Sequence, residues 1–399
     1  MDDLCLDVIL IGGGLANGLI AWRLAMRQPT LRILLVEKDA SLGGNHTWSF
    51  YQRDLTPAQH AWMAPLIVQR WAGYQVRFPT HSRTLETACY SITSERFHDV
   101  LSQSLGASVM CNATVTQVGA DSVCINGRQF QADVIIDGRG HVPSQHMGYA
   151  YQKFVGQEVV LTRAHGQALP IIMDATVAQD DGYRFVYTLP FSKDRILVED
   201  TYYGTTPDLD FPAIRNKINT YIAARGWEVA SLVREETGVL PISLAGDMRA
   251  FWREKPPMLA CSGLRAGLFH ATTGYSLLYA VRLADEIAAL QTLDAKTVYR
   301  RVQRFSIRQW QAQAFMRLLN RMLFFASAPS QRYRLLQRFY RLPQDLIERF
   351  YAAQPLLLDK LRILTGKPPV PVIAAFKAML ATETDMKTNT EKESSSKPL

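Results

Sequence analysis

The stretch DVILIGGGLANGLIAWRL, Asp7 to Leu24, decides the fold. Asp7 to Ile11 is an apolar run suited to burial on both faces of a parallel sheet, and it runs straight into three glycines. From Ala16 to Met26 the pattern is helical, and Arg32 to Val36 (RILLV) is a second apolar strand closed by Glu37. Strand, glycine turn, helix and strand within forty residues make a βαβ unit. The spacing Gly12-x-Gly14-x-x-Asn17 gives a tight turn and lets backbone N–H groups approach a pyrophosphate at a helix N-terminus. Asn17 stands in place of a third glycine, which slightly loosens the argument for close helix–strand packing. Glu37 is placed to hold a ribose hydroxyl, and an acid there disfavours a 2′-phosphate, leaving NAD or FAD.

The later chain favours FAD. VIIDGRG, with Asp137, Gly138 and Gly140, reads as a strand returning to the nucleotide site, and the loop from Gly263 to Ser276 offers further close approaches at Gly267 and Gly274. A flavin hydroxylase usually shows Gly-Asp followed by Ala-Ala-His on this loop. Cys261, Ser262 and Gly263 stand here instead, so oxygen activation loses ground. Between these parts lie strand-like runs: Ser108–Val118, GYRFVYTLPF, and RILVEDTYYG from Arg195 to Gly204. In the last, Glu199 shares a face with Leu197 and Asp200 with Val198, so at least one acid meets apolar company. A carboxyl held there tends to stay protonated and able to act as an acid. The competing reading is an edge strand with a solvated acidic pair answered by Arg195.

With 399 residues, 48% hydrophobic and 20% charged, the chain is long enough for two or three domains or one interwoven cofactor fold. A net charge of +8 suits a phosphate-bearing cofactor or an anionic membrane surface better than nucleic acid, and no nucleic-acid partner is expected. Five scattered cysteines form no C-x-x-C pair, and no His, Cys and acid cluster has metal-ligand spacing, so no metal is expected. The acidic start MDDLCLD is unlike a secretory signal, and no apolar run is long enough to cross a bilayer. From Lys296 to Arg349, twelve basic residues face two acidic ones among phenylalanines and leucines. Such helices read equally as a membrane-surface element or as a helical cap on the core. ATETDMKTNTEKESSSKPL is expected to be disordered.

The combination of the opening stretch with GGNHTWSF (Gly43 to Phe50), VIIDGRG, YQKFVGQEV, MDATV, LVEDTYY, EETGVLPI and GLRAGLFHATTGYS resembles the bacterial lycopene β-cyclases. The resemblance keeps motif order from the N-terminus to the basic region. It implies a flavoprotein with no net redox chemistry, closing the linear ends of lycopene into β-rings through γ-carotene to β-carotene. It further implies reduced FAD as the active form, NAD(P)H as reductant, and a place in the bacterial cytoplasm, peripheral on the inner membrane. The family's essential acid falls on Glu199, with Asp200 beside it. The cofactor residues expected are Gly12, Gly13, Gly14, Ala16, Glu37, Lys38, Asp137, Gly138, Gly267 and Gly274. Glu235 and Glu236 are candidates for lining cofactor or tunnel, against a salt bridge to Arg234. Asp174 is a supporting or turn residue, His46 and Trp48 border the cofactor or the core, and His270 is structural.

The expected fold class is therefore α/β: a Rossmann-like FAD-binding domain interwoven with a β-sheet substrate domain, plus a helical C-terminal region. The expected divisions are 1–150 for FAD binding, with a substrate-facing insert at about 50–90, and 151–255 for the substrate domain. A return to the FAD site follows at 256–295, then the basic membrane-facing helices at 296–380 and a tail at 381–399. Lycopene is the expected substrate and membrane lipids the expected partner; no obligatory protein partner is expected. Competing readings are an isoprenoid-directed flavin reductase or monooxygenase, such as a geranylgeranyl reductase, and a prenyl-lipid escort without flavin.

Overall fold

The computed structural model describes residues 6–179 and 182–365. The tail expected at 381–399 and the end of the expected helical region lie outside these residues. The apolar run at the start forms β1 (Leu6–Ile11), whose residues Val8 to Ile11 are at most 1% exposed. Gly12, at φ +89°, turns the chain into α1 (Leu15–Arg27), and the chain returns as β2 (Ile33–Val36), parallel to β1. A Cβ on Gly12 would lie 3.2 Å from the backbone of Gly138, so the turn needs glycine both for its dihedral and for this approach. On the other side of β1 runs β3 (Arg128–Asp137), also parallel, and Ala260–Cys261 pairs in parallel with its end. The chain thus comes back to its first sheet after more than a hundred residues.

Two expectations change here. Ser108–Val118 is not one strand: it breaks into Val109–Met110 and Val115–Val118 on opposite edges of the sheet, with Asn112 between them in the left-handed region at φ +52°. Nor does Asn17 loosen the packing. It is 1% exposed, its amide donates to the carbonyls of Ile11 (2.8 Å) and Ile136 (3.3 Å), and its oxygen accepts from the Ser262 hydroxyl at 2.7 Å. One side chain therefore ties the ends of β1 and β3 to the late loop.

The second sheet is built on long antiparallel strands: β4 (Met147–Leu161), β5 (Tyr183–Pro190), β6 (Arg195–Gly204) and β7 (Val229–Gly246), with β4 between β6 and β7. Ile171–Asp174 extends it beyond β5, and Tyr74–Phe78 and His81–Leu85, from the expected insert, complete that edge. Hence β6 is an interior strand, paired with β4 on one side and β5 on the other; the edge-strand reading of its acids falls. Its two faces are buried in different cores. Leu197 and Tyr203 pack in one, while Ile196, Val198 and Tyr202 pack with the helix Phe211–Ala224 in another.

Among the described residues, six α-helices follow the late loop: α2 (Leu277–Ala288), which packs on α1, then α3 (Ala295–Ala312), α4 (Ala314–Phe325), α5 (Tyr333–Phe339), α6 (Gln344–Tyr351) and α7 (Leu357–Leu364). Met316, Leu323, Phe324, Ile347 and Phe350 from these helices, and Tyr340 just after α5, belong to the core of the second sheet. The arginines among them largely serve that cap. Arg332 is 1% exposed and donates to the Phe324 carbonyl, while Arg317 donates to the Trp310 carbonyl with its guanidinium 3.7 Å from that ring's centre. Arg301 and Arg308 both pair with Glu286, and Arg349 with Asp359. Among the described residues, no helix is long and apolar enough to cross a membrane.

Candidate active site

A cavity of about 620 Å³ runs from the glycine turn to the second sheet. At one end it is lined by Gly12, Gly14, Ala16, Glu37 and Lys38, with Gly138, Gly263 and Gly274 closing in from the returning strand and late loop. Gly13 stands just behind this wall, its N–H donating to the Glu37 carboxylate at 2.6 Å, and a Cβ there would collide with Leu42 at 2.4 Å. The backbone N–H groups at the start of α1 have no side-chain cap, as a site for an anionic group requires. Two expected cofactor residues lie elsewhere. Asp137 is held by Arg139 (2.8 Å) and Arg265 (2.9 Å) and lines a separate pocket beyond the sheet, since the last residue of β3 alternates away from the cavity. Gly267, at φ +68°, ends a short turn against Met248 rather than reaching the cavity.

At the other end the cavity meets the second sheet at Glu199, Glu236, Gln152 and Tyr187. The alternation along β6 decides which acid arrives. Glu199 faces the cavity, accepts from the Thr201 hydroxyl at 2.7 Å, and is opposite Tyr187 of β5 and Gly156 of β4. Burial, then the nearby Glu236, push its carboxyl up to about 8, and such a group is protonated at neutral pH. Asp200 points to the opposite face and is fully buried. Arg184 grips both its oxygens at 2.9 Å, and the Tyr202 hydroxyl donates to it at 3.0 Å. Burial raises this carboxyl above its ordinary value, the Arg184 guanidinium and the Tyr202 hydroxyl offsetting that in part, and the two-pronged contact ties it to Arg184 as an ion pair. Asp200 therefore stands apart from the site at which it was expected.

The glutamates of EETGVLPI also part ways. Glu235 turns outward to Arg215 (2.6 Å) and Gln157 (2.9 Å). Glu236, 1% exposed, lines the cavity and pairs with Arg234 at 3.1 Å, so the salt bridge and the cavity wall both apply to it. Arg234 further binds Glu158 at 2.6 Å, the Asn45 carbonyl at 3.0 Å and the Thr47 hydroxyl, clamping the Gly43–Phe50 segment onto β7. His46 and Trp48 both line the cavity; burial and the Arg234 charge lower the His46 imidazole. Asp174 pairs with Arg225 (2.5 Å) and accepts from Tyr221 (2.9 Å), a structural role. His270 is buried against the Phe350 carbonyl at 3.1 Å.

A second cavity, apolar and about 150 Å³, lies against the first; Gln152 and Tyr275 line both. Its walls come from the second sheet (Met173, Phe185) and from the C-terminal helices (Leu323, Leu336, Phe339, Ile363). The residues that join the two spaces, Gln152 and Tyr275, were not singled out from the sequence. A polar residue in a long strand and a tyrosine in a glycine loop carry no local signal of meeting there.

A family model described as lycopene cyclase protein matches residues 7–377. The chain belongs to the lycopene cyclase family. The lycopene beta-cyclase of Pseudescherichia vulneris is 53% identical over 375 residues, covering 94% of this chain and 97% of that protein. The lycopene beta-cyclase of Pantoea ananas is 51% identical over 377 residues, covering 94% and 98%. Among solved structures, a flavin-dependent brominase aligns with a TM-score of 0.60 at 12% identity, over 87% of this chain and 93% of that one. At that identity the likeness is one of fold: a lycopene cyclase chain built on the mixed α/β framework that the sequence led us to expect, with helices at its C-terminal end.

Proposed function

We propose that the protein is a lycopene β-cyclase that closes the ψ-ends of lycopene into β-rings without net redox change. The observation that supports this is the position of Glu199: a half-buried carboxyl, pushed toward its protonated form, lining a glycine-walled nucleotide cavity where that cavity abuts an apolar one. An olefin is a poor base, so its protonation needs an acid kept from water, which would compete for the proton and capture the cation. Glu199 delivers its proton to the terminal double bond, and the neighbouring double bond attacks the cation so formed. Loss of a ring proton completes the β-ring and leaves atoms and electrons unchanged in sum. The apolar walls, with Phe185, Tyr203 and Tyr351, orient the polyene end and present aromatic faces to a passing cation.

The glycine cradle fits FAD: Gly12 and Gly138 approach as only Cβ-free residues do, and the start of α1 presents uncapped N–H groups. Gly12, Gly14, Ala16, Gly138, Gly263 and Gly274 would hold it, with Glu37 and Lys38 at its ribose. Reduced by NAD(P)H, such a flavin would supply electron-rich charge to stabilise the developing cation.

We further read the protein as peripheral on the cytoplasmic face of the inner membrane, where lycopene resides. Leu357, Leu358 and Leu361 of α7 are 72%, 75% and 51% exposed, next to Ile363 and Leu364, which line the apolar cavity. This ridge, flanked by Lys360 and Arg362, suits insertion among acyl chains better than the arginines that cap the core.

Anaerobic incubation with reduced FAD, lycopene and liposomes in heavy water tests the reaction: one deuterium should enter per ring, with no net oxidation. Glu199→Gln should retain fold and flavin while ring formation falls by about 10²–10⁴, the usual worth of a positioned acid. Normal turnover by Glu199→Gln would refute the assignment.

A further inference from the structure

Glu199 and Glu236 are on strands that do not touch. β4 runs between β6 and β7, and the residue level with both glutamates is Gly156, paired with Glu199 on one side and Glu236 on the other. Alternate strands are about 10 Å apart, so two acids in these positions would ordinarily be separated by a side chain on the middle strand. Here there is none. A Cβ at Gly156 would lie 3.1 Å from Cγ and 3.3 Å from Oε1 of Glu236, and 3.4 Å from Cβ of Glu199. Gly156 has no positive φ to account for it. The glycine makes room: the Glu236 side chain lies over it, toward Glu199.

The surrounding charges are unevenly shared. Glu236 has the Arg234 guanidinium at 3.1 Å and Thr47 beside it. Arg234 also answers Glu158 at 2.6 Å and Glu95 at 3.6 Å, and Glu158 has Arg195 besides. The Thr201 hydroxyl donates to Glu199, and Tyr187, Tyr275, Gln152 and His46 line the same cavity, His46 next to Arg234 and the Tyr187 hydroxyl donating to Ser49. Asp200 and its partner Arg184 occupy the other face of β6, and Glu235 points out to Arg215. Among the described residues, the cation placed on this carboxyl pair, Arg234, is thus bonded to Glu236.

We propose that Gly156 and Glu236 are positioning residues for the acid: the gap at Gly156 lets Glu236, made the more acidic of the two by its ion pair with Arg234, lean toward Glu199, so that the last proton the pair retains resides on Glu199. The inference rests on the reading of Glu199 as the proton donor. It gives Glu236 a purpose apart from holding the Gly43–Phe50 segment, and it explains why a mid-strand position in an extended conformation carries glycine. The same arrangement returns the acid to readiness, because after Glu199 has given up its proton two negative groups share a buried space and one proton is drawn back to the pair.

Single-turnover conversion of lycopene in liposomes, with reduced FAD and across pH, tests the idea. Wild-type activity should fall as pH rises through the titration of Glu199. In Glu236→Gln the neighbouring negative charge is gone, Glu199 ionises more readily, and the alkaline fall should move about one pH unit lower. Glu236→Asp, which keeps the charge, should leave it in place. Gly156→Ala changes no charge yet drives the two carboxyls apart, and should shift the fall in the same direction as Glu236→Gln, with KM unaltered. If both Glu236→Gln and Gly156→Ala lose rate equally at every pH, the residues are structural and the proposal is overturned. Should Glu236→Gln not fold, Gly156→Ala alone decides by the same criterion. Normal turnover by Glu199→Gln is a different failure, that of the acid itself, and is read independently of the pH limb.

Discussion

Neighbouring carboxylates on one strand have opposite chemistries in this protein. Asp200 is an acid fixed by a buried arginine, while Glu199 has no guanidinium of its own among the described residues, accepts from the Thr201 hydroxyl and has the Glu236 carboxyl nearby, which together with burial favours its neutral form. Removing the Asp200 charge leaves Arg184, 7% exposed, without its counter-ion. Asp200→Asn should therefore lower unfolding stability by about 3–5 kcal/mol. Equilibrium denaturation measures this, and an unchanged midpoint would mean the pair contributes nothing. The presence of two acids was legible in RILVEDTYYG, as was their division between faces. Which face was the cavity was not, because that depends on what packs over the sheet and on β4, whose Gly156 lies opposite Glu199 across 43 residues of chain. Asp137 and Gly267 misled for a related reason. Both sit in the right segments, but the side chain of one turns to Arg139 and Arg265, and the other closes a turn.

Among elements, the βαβ unit was readable because its glycines answer to local geometry: φ +89° at Gly12 and a near contact with Gly138. Asn17 departs from the glycine pattern and was read as a weakness, yet it bonds three segments at once, two of them more than a hundred residues distant. The basic helices show the reverse problem. Their composition announces charge, but not that Arg332 and Arg317 would be spent on backbone carbonyls inside the cap. Lipid contact accordingly falls to α7 in our reading. Replacing Leu357 and Leu361 together by Asp should weaken sedimentation with anionic vesicles by about tenfold or more while leaving the melting temperature unchanged, since both side chains are exposed. Retained vesicle binding would return attention to the arginines, whose contribution salt would screen.

For the molecule as a whole, buried acids set the pH range of stability. Burial raises Glu199 to about 8 and Glu236 and Asp54 to about 7, so in each the folded form binds its proton more tightly than the unfolded chain. Their contribution is fully present at acid pH and is lost as pH rises through about 7–8. His270, lowered to about 4 by burial, acts oppositely: its contribution is present above pH 6.5 and is lost as pH falls through about 4. The melting temperature should thus be higher at about pH 5.5 than at about pH 8.5. Glu199→Gln should flatten the alkaline decline, and a profile identical to wild type would show that Glu199 does not titrate there. The hairpin at Phe191–Asp194 has a significance beyond joining β5 to β6. Backbone bonds from Phe191 and Ser192 to the Arg195 carbonyl set the count of residues entering β6. One residue gained or lost there would invert the parity of the strand, delivering the aspartate to the cavity and the glutamate to the guanidinium. The length of a four-residue solvent-side turn is in this sense part of the catalyst, and evolution can vary its letters far more freely than their number.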